Sequence, residues 1–234
     1  MRTKLINLFI LAFAITACSS SAQVSRDKTN VDTFTKIACS SGIDVDFSHG
    51  NSHTFKVETD EENLSKIEIV VENKCLKIKR KDGQKFKRNS SIKVYVTAPL
   101  LEDLAFSGGS DFYSKEIKSN KTLNLAFSGG ADLNIEKMDA NKCNIAFSGG
   151  ADCKISQTKV QDLRLAFSGG SDAEIKAINA NNISVAASGG ADVELSGKAK
   201  NISVSVSGGA DVDIRNLSAE NVSSNKSKSG SLKR

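Results

Sequence analysis

The stretch Leu125-Ala126-Phe127-Ser128-Gly129-Gly130-Ala131-Asp132-Leu133 decides the fold of this 234-residue chain, because its central pentapeptide, Ser-Gly-Gly-Ala/Ser-Asp, occurs six times. The copies begin at Ser107, Ser128, Ser148, Ser168, Ser188 and Ser207, at spacings of 21, 20, 20, 20 and 19 residues. So regular a period is typical of a solenoid, in which each repeat forms one coil stacked on the next.

Alternating apolar and polar residues flank each pentapeptide. The runs 123–127 and 131–135 both have period two, which predicts short strands with one buried face. Gly129-Gly130 predicts a corner between them, because glycine reaches backbone angles that other residues avoid. Met138 and Ala140 would lie on a shorter third side.

Matching residues of successive repeats should form inward columns. The columns are Phe106, Phe127, Phe147, Phe167, Ala187 and Val206; Ile135, Ile155, Ile175, Leu195 and Ile214; and Leu125, Ile145, Leu165, Val185 and Val204. The predicted fold is all-β, a single-stranded right-handed parallel β-helix with coils of about 20 residues. Coils of this length with glycine corners favour the right-handed type over the left-handed hexapeptide type.

The rest of the chain divides around these coils. Residues 31–104 contain further alternating runs, including 34–47, and predict irregular first coils or a β cap, whereas 105–224 are the regular coils. Lys81-Asp82-Gly83 resembles a hairpin turn. Residues 225–234 are polar and basic, and we expect a loose tail there.

Residues 1–22 predict an export signal, with Arg2 and Lys4 before a short apolar stretch. Two processing sites compete. Ile15-Thr16-Ala17-Cys18 resembles a lipoprotein box that would lipidate Cys18, whereas cleavage after Ser20-Ser21-Ala22 would release a soluble protein. Either route predicts an exported protein, as an outer-membrane lipoprotein or in the periplasm or at the cell surface.

Charge and cysteines add two expectations. Removing residues 1–17 takes away two positive charges and lowers the net charge from +5 to +3, which gives no case for nucleic acid as a partner. Cys143 and Cys153 occupy apolar column positions and read as small core residues. Cys39 and Cys75 would pair only if the fold brought them together.

The chain resembles the bacterial family of auto-transporter adhesin head GIN domains. The resemblance covers residues 34–222 and rests on Gly42-Ile43-Asp44, on Leu76-Lys77-Ile78 and on the lead-in from Ile92 to Leu100 into Leu104-Ala105-Phe106-Ser107-Gly108-Gly109. The family's Gly-Ile-Asn tripeptide is Gly-Ile-Asp here. The resemblance implies a β-helix of Bacteroidetes-type cell envelopes, with no established activity.

The acidic residue of the pentapeptide should form a column on one outer edge. Two roles stay open: each carboxylate accepts hydrogen bonds from backbone N–H groups at the corner, or the column binds calcium, since Gly-Gly-Ala-Asp partly resembles a calcium-binding nonapeptide. We favour the structural role, with no metal and no cofactor. The corner residues are Ser107, Gly108, Gly109, Asp111, Ser128, Gly129, Gly130, Asp132, Ser148, Gly149, Gly150, Asp152, Ser168, Gly169, Gly170, Asp172, Ser188, Gly189, Gly190, Asp192, Ser207, Gly208, Gly209 and Asp211.

Catalytic motifs are scarce, and no catalytic residue is predicted. His49 and His53 flank an expected exposed loop and have no metal-binding spacing. The Asp column could imitate the acidic groove of a polysaccharide lyase or hydrolase. Sugar sites, however, use aromatic platforms, and tryptophan is absent while only Tyr95 and Tyr113 represent tyrosine.

A dense basic run precedes the repeats. It could contact anionic glycans or lipid headgroups, or it could be an exposed strand and turn whose lysines discourage edge pairing. Its members are Lys74, Lys77, Lys79, Arg80, Lys81, Lys85, Lys87, Arg88 and Lys93.

The sequence thus predicts a non-enzymatic cell-envelope β-helix that acts as a structural or adhesion module. Its partners would be the membrane, through a lipid anchor, and a glycan or surface protein. The alternative is a polysaccharide-acting enzyme on the same scaffold.

Overall fold

The computed structural model describes residues 23–28 and 31–234. Within them the chain forms fifteen strands and one short helix. The elements are β1 (Gln23–Lys28), β2 (Lys36–Cys39), β3 (Asp44–His49), β4 (Thr54–Asp60), α1 (Glu61–Leu64), β5 (Ile67–Glu72), β6 (Cys75–Arg80), β7 (Lys93–Ala98), β8 (Asp103–Ser107), β9 (Phe112–Ser128), β10 (Leu133–Ser148), β11 (Cys153–Phe167), β12 (Asp172–Ala187), β13 (Asp192–Val206), β14 (Asp211–Lys226) and β15 (Ser231–Lys233).

The predicted export signal, residues 1–22, with the candidate lipidation site Cys18, lies outside the described residues. No helix in the described ranges is long and apolar enough to span a membrane.

The predicted parallel β-helix is confirmed, with about seven coils of roughly 20 residues. Strands β9 to β14 pair in parallel, each with the next, so that Phe127, Phe147 and Phe167 stand in register. Each strand runs from one glycine corner to the next and is 15–17 residues long. The two strands and third side predicted for each coil are therefore one continuous bent strand, because the ladder persists through the second bend.

The inward columns are buried as predicted. Ring centroids in the Phe column lie 5.1 Å apart between Phe106 and Phe127, 5.0 Å between Phe127 and Phe147, and 5.5 Å between Phe147 and Phe167. Burying each such ring contributes roughly 1.5–3 kcal/mol. Stacked columns therefore make every coil depend on its neighbours for its core.

All four cysteines in the described residues are free thiols. Cys143 and Cys153 are buried in the core, as predicted, and burial raises the pKa of each thiol. Cys39 and Cys75 do not pair, because parallel pairing of β2 with β6 sets Cys39 opposite Ile78 and Cys75 opposite Lys36.

A seventh corner precedes the six repeats. The segment Ser40-Ser41-Gly42-Ile43-Asp44 joins β2 to β3, and Ser41 and Gly42 have φ angles of 77° and 72°. Cys39 stands opposite Phe106, and Val45 opposite Phe112, as in a regular coil. The run 34–47, read as continuous alternation, is thus broken by a corner whose second residue is Ser instead of Gly.

The N-terminal cap ends the parallel ladder with antiparallel strands. Strands β6 and β7 form a coil outside the one made by β2 and β3. Strand β5 then pairs antiparallel with β6, β4 with β7, and β1 with β4. Antiparallel strands of this kind cover the open edge of the solenoid, as the sequence suggested.

Lys81-Asp82-Gly83 does form a turn, because the N–H of Gln84 donates to the carbonyl of Lys81 at 3.2 Å, but the turn joins no hairpin, since β6 and β7 do not pair with each other. The hairpin turn lies at Asn73-Lys74 between β5 and β6, where both residues have positive φ angles, 51° and 60°. Two central residues with positive φ suit the right-handed twist of a tight hairpin, and asparagine tolerates that conformation. Residues 81–92 instead form a loop that leads from β6 to β7.

The C-terminal end is more ordered than the loose tail expected for residues 225–234. Strand β14 extends to Lys226, and β15 pairs in parallel with the start of β14. Ser224 and Lys226 follow Val204 and Val206 in register, so the apolar columns end in polar side chains. Lysine at an exposed edge discourages pairing with another chain.

The corner glycines give a graded test of the fold. Gly189 has a φ of +74°, and a Cβ there would lie 2.9 Å from the backbone N and O of Gly169. Gly130 shares the positive φ, +77°, but its Cβ would meet nothing within 4 Å; Gly150 has open space and no positive φ. We expect G150A to change the free energy of unfolding by less than about 0.5 kcal/mol. G130A should lose about 1–2 kcal/mol from backbone strain alone, and G189A should lose more.

Urea denaturation of the three variants measures the series. Equal losses in G130A and G189A would show that close stacking of the corners adds nothing to stability.

Candidate functional site

The six predicted corners lie one above another, but they adopt two geometries. At Gly108-Gly109 and Gly129-Gly130 both glycines have positive φ, whereas in the four later corners only the first glycine does. The strand that follows begins after the Asp in β9, β10 and β11, and at the Asp itself in β12, β13 and β14. The same pentapeptide therefore leaves the backbone N–H of the Asp in two different environments.

The Asp side chains of the first three corners form a ladder along the axis. The backbone N–H of Asp132 donates to Oδ1 of Asp111 at 3.0 Å, and that of Asp152 donates to Oδ1 of Asp132 at 3.0 Å. In the later corners a backbone carbonyl replaces the carboxylate as the acceptor. The N–H of Asp211, for example, donates to the carbonyl of Ala191 at 2.9 Å. The carboxylates of the early corners thus replace a missing backbone acceptor.

This ladder places acidic groups close together. Burial raises the pKa values of Asp44, Asp111 and Asp152, and neighbouring aspartates raise the last two further. In the described part of the chain no group of three or more His, Cys, Asp or Glu side chains could hold a metal ion.

The two histidines are structural and half-buried, not exposed as the sequence suggested. His49 Nε2 accepts a hydrogen bond from the backbone N–H of Lys118 at 2.8 Å, and burial lowers the pKa of His49. His53 Nε2 lies 3.0 Å from the carbonyl oxygen of Phe34, and its ring packs against that phenylalanine with centroids 4.9 Å apart.

A shallow groove follows one outer face along nearly the whole helix. Its floor carries exposed alanines one coil apart, such as Ala126 and Ala146, and its rim carries the corner serines. The residues that line the groove include no Asp, Glu or His. It therefore offers no carboxylate or imidazole for acid–base catalysis.

The basic run divides into a paired and an unpaired part. Lys77 contacts Glu72 at 2.6 Å, and Lys79 lies 3.7 Å from Glu68, both across the β5–β6 pair. Strand β6 is not an edge strand, since β2 flanks its other side, so edge protection does not explain these lysines. Lys85, Lys87 and Arg88 are exposed in the loop 81–92.

The structure brings the two tyrosines together around one acid. Asp46 of β3 stands opposite Tyr95 of β7 on one side and opposite Tyr113 of β9 on the other. Tyr95 is 36% exposed, one of two large apolar side chains exposed in the described part of the chain. Lys56 and Lys93 lie 5.9 and 5.8 Å from the centre of its ring.

The tyrosine hydroxyls stay protonated at neutral pH. Burial and a hydrogen bond with Glu58 raise the pKa of Tyr95, and a hydrogen bond to Glu136 raises the pKa of Tyr113. We call Tyr95, Asp46 and Tyr113 the tyrosine patch. Sequence reasoning noted both tyrosines but dismissed them as too few, and it did not single out Asp46.

Comparison with known proteins agrees with this architecture. Residues 33–172 and 144–233 match the family described as "Putative auto-transporter adhesin, head GIN domain". The chain belongs to this family. No curated protein matches it in sequence.

Solved structures of similar fold include proteins of Bacteroidetes. A putative adhesin from Bacteroides fragilis has a TM-score of 0.80 at 19% identity, over 92% of this chain and 97% of that one. A putative lipid binding protein from Parabacteroides distasonis has a TM-score of 0.71 at 14% identity, over 90% and 96%. At such identities the likeness shows the fold alone. Family and neighbours are named for adhesion or lipid binding and not for catalysis.

The two corner geometries make the Asp ladder testable. D132A should remove the acceptor of the Asp152 N–H and lower the free energy of unfolding by about 1–2 kcal/mol, the cost of an unpaired backbone donor. D192A is the matched control, because the Asp211 N–H already has a backbone acceptor, and it should cost less than about 0.5 kcal/mol. Urea denaturation compares the two. Equal losses would contradict the ladder.

Proposed function

We propose that this protein is a non-enzymatic adhesion module of the cell envelope, tethered by a lipid on Cys18, that presents its outer faces to a glycan or a surface protein. Family membership supports the adhesion role. The long groove contains no acid or histidine and so does not support the alternative of a polysaccharide lyase or hydrolase. That alternative would have to use the separate acidic groove that Asp172, Asp192 and Asp211 line.

The tethering proposal rests on the position of β1, the first described strand. Strand β1 is the outermost strand of the cap, and Gln23 stands opposite Asp60. Four residues separate Cys18 from Gln23, and the five steps between them span at most about 18 Å. A lipid on Cys18 would therefore hold the cap near the membrane, and the regular coils would project away from it.

The loop 81–92 lies on the same side of the cap. Asp60 accepts a hydrogen bond from the Ser90 hydroxyl at 2.5 Å, and Asn63 accepts one from the backbone N–H of Lys87 at 2.8 Å. These bonds bring the loop with the exposed Lys85, Lys87 and Arg88 close to Asp60, which stands opposite Gln23. Basic side chains close to an anionic bilayer contribute about 1 kcal/mol each, although Glu61 and Glu62 on α1 offset part of that charge.

Two point changes separate the competing processing routes. C18S should move the protein from the membrane fraction to the soluble fraction, because the acylated residue is lost, while A22R should leave membrane partitioning unchanged. Ordinary signal-peptidase cleavage after Ala22 predicts the reverse, since arginine is not a small residue. Fractionation followed by immunoblotting measures both variants. Unaltered membrane partitioning of C18S would refute the lipid tether.

A further inference from the structure

We propose that residues 80–92, which we call the basic loop, bind the anionic headgroups of phospholipids and hold the cap on the bilayer in their own right. The proposal deepens the lipid tether above and takes from it only the side of the molecule that faces the membrane. The cations of the basic loop are Arg80, Lys81, Lys85, Lys87 and Arg88.

Positive charge is concentrated in the basic loop. Its five cations and one acid, Asp82, give a net charge of +4, whereas the whole chain carries +5. All five cations are exposed, and within the described residues none of them forms an ion pair. Cations on the regular coils stand beside acids, as Lys137 does at 3.0 Å from Glu116. The basic loop therefore keeps its charge free for an external anion.

The backbone of the basic loop is fixed at both ends and in the middle. The N–H of Lys81 donates to the carbonyl of Lys66 at 2.8 Å, and the N–H of Lys87 donates to Oδ1 of Asn63 at 2.8 Å. Phe86 is half-buried and packs against the core, while its two neighbours in the chain are exposed lysines. A loop that is already ordered loses little conformational freedom when it binds.

The acids near the basic loop leave most of its charge unopposed. Glu62 pairs with Lys66 at 2.8 Å, and Asp82 lies 4.0 Å from Lys79. Glu61 is the remaining exposed acid of α1. Exposed cations spread over a dozen residues suit a plane of many phosphates, as at an anionic bilayer, better than one enclosed anion.

The place of the basic loop in the fold gives its binding a structural consequence. The Ser90 hydroxyl bonds to Asp60, and Asp60 stands opposite Gln23 in β1. A lipid on Cys18 and headgroups on the basic loop would therefore hold the same end of the solenoid. Two attachments at one end orient the rod, so that its coils project from the membrane instead of lying on it.

Sedimentation with vesicles tests the basic loop without the lipid. We would use the chain from Ser19 onward, which contains every described residue, with vesicles of phosphatidylcholine alone or mixed with phosphatidylglycerol in equal parts. We expect binding to the anionic vesicles only, with an apparent Kd on the order of 1 mM lipid. Raising the salt from about 0.1 M to about 1 M should abolish binding, because the Debye length falls from about 10 Å to about 3 Å.

Charge reversals at the two ends of the solenoid locate the contact. K85E/K87E/R88E should weaken binding roughly tenfold or more, because three attracted groups become repelled ones. K226E/K228E/R234E is the matched control, since it changes the same residue types by the same total charge at the exposed C-terminal end, and it should bind like wild type. Melting temperatures show whether each variant is folded.

Three results would overturn the proposal: equal binding to neutral and anionic vesicles, wild-type binding by K85E/K87E/R88E, or an equal loss in K226E/K228E/R234E. Retention on immobilised polygalacturonate without sedimentation with vesicles would also overturn it and assign the basic loop to an acidic glycan. The lipid tether is judged separately, because washing membranes in about 1 M salt removes electrostatic binding and leaves fractionation of C18S to report on the lipid.

Discussion

Close approach of one coil to the next at the glycine corner is the constraint on which the rest of this structure depends. A Cβ at Gly189 would lie 2.9 Å from the backbone of Gly169, and one at Gly208 would lie 3.0 Å from that of Gly189. Only glycine allows the backbones to stack so closely while holding a positive φ. This stacking keeps the strands in register, and the register builds the Phe, Ile and Leu columns of the core. The corner is therefore the reason that a chain with few aromatics has a continuous core.

The regular part of the fold could be predicted from the sequence because every coil repeats the same two local signals. Period-two alternation sets the buried face, and a glycine pair sets the corner, so residues such as Phe127 and Ile135 were placed correctly. The cap could not be predicted in the same way. Its first corner replaces one glycine with Ser41, and its hairpin turns at Asn73-Lys74 without glycine, so the local signals are weaker there.

The tyrosine patch shows why contacts beside the cap could not be predicted although the regular coils could. Tyr95 and Tyr113 are 18 residues apart, close to one coil, and simple stacking would make them neighbours. The coil of β2 and β3 instead lies between those of β7 and β9, so Asp46 separates them. That order depends on pairing between strands distant in the chain, such as Val45 with Phe112, and no local pattern encodes it. The Asp column was easier to predict from the sequence, because each of its members occupies the same position of a visible repeat.

The regular coils and the cap differ in whether they can hold a single defined binding site. Along β10 to β13 the outward faces repeat small or polar side chains, and a surface that repeats every coil offers any ligand several equivalent registers. A single defined site needs a feature that occurs once. The cap provides it, because there the order of coils departs from the order of the chain, and Tyr95 and Tyr113 come to lie in one row with Lys56 and Asp46. Specific recognition by this β-helix is therefore expected beside the cap, where the repeat is broken, rather than along the rod that the repeat builds.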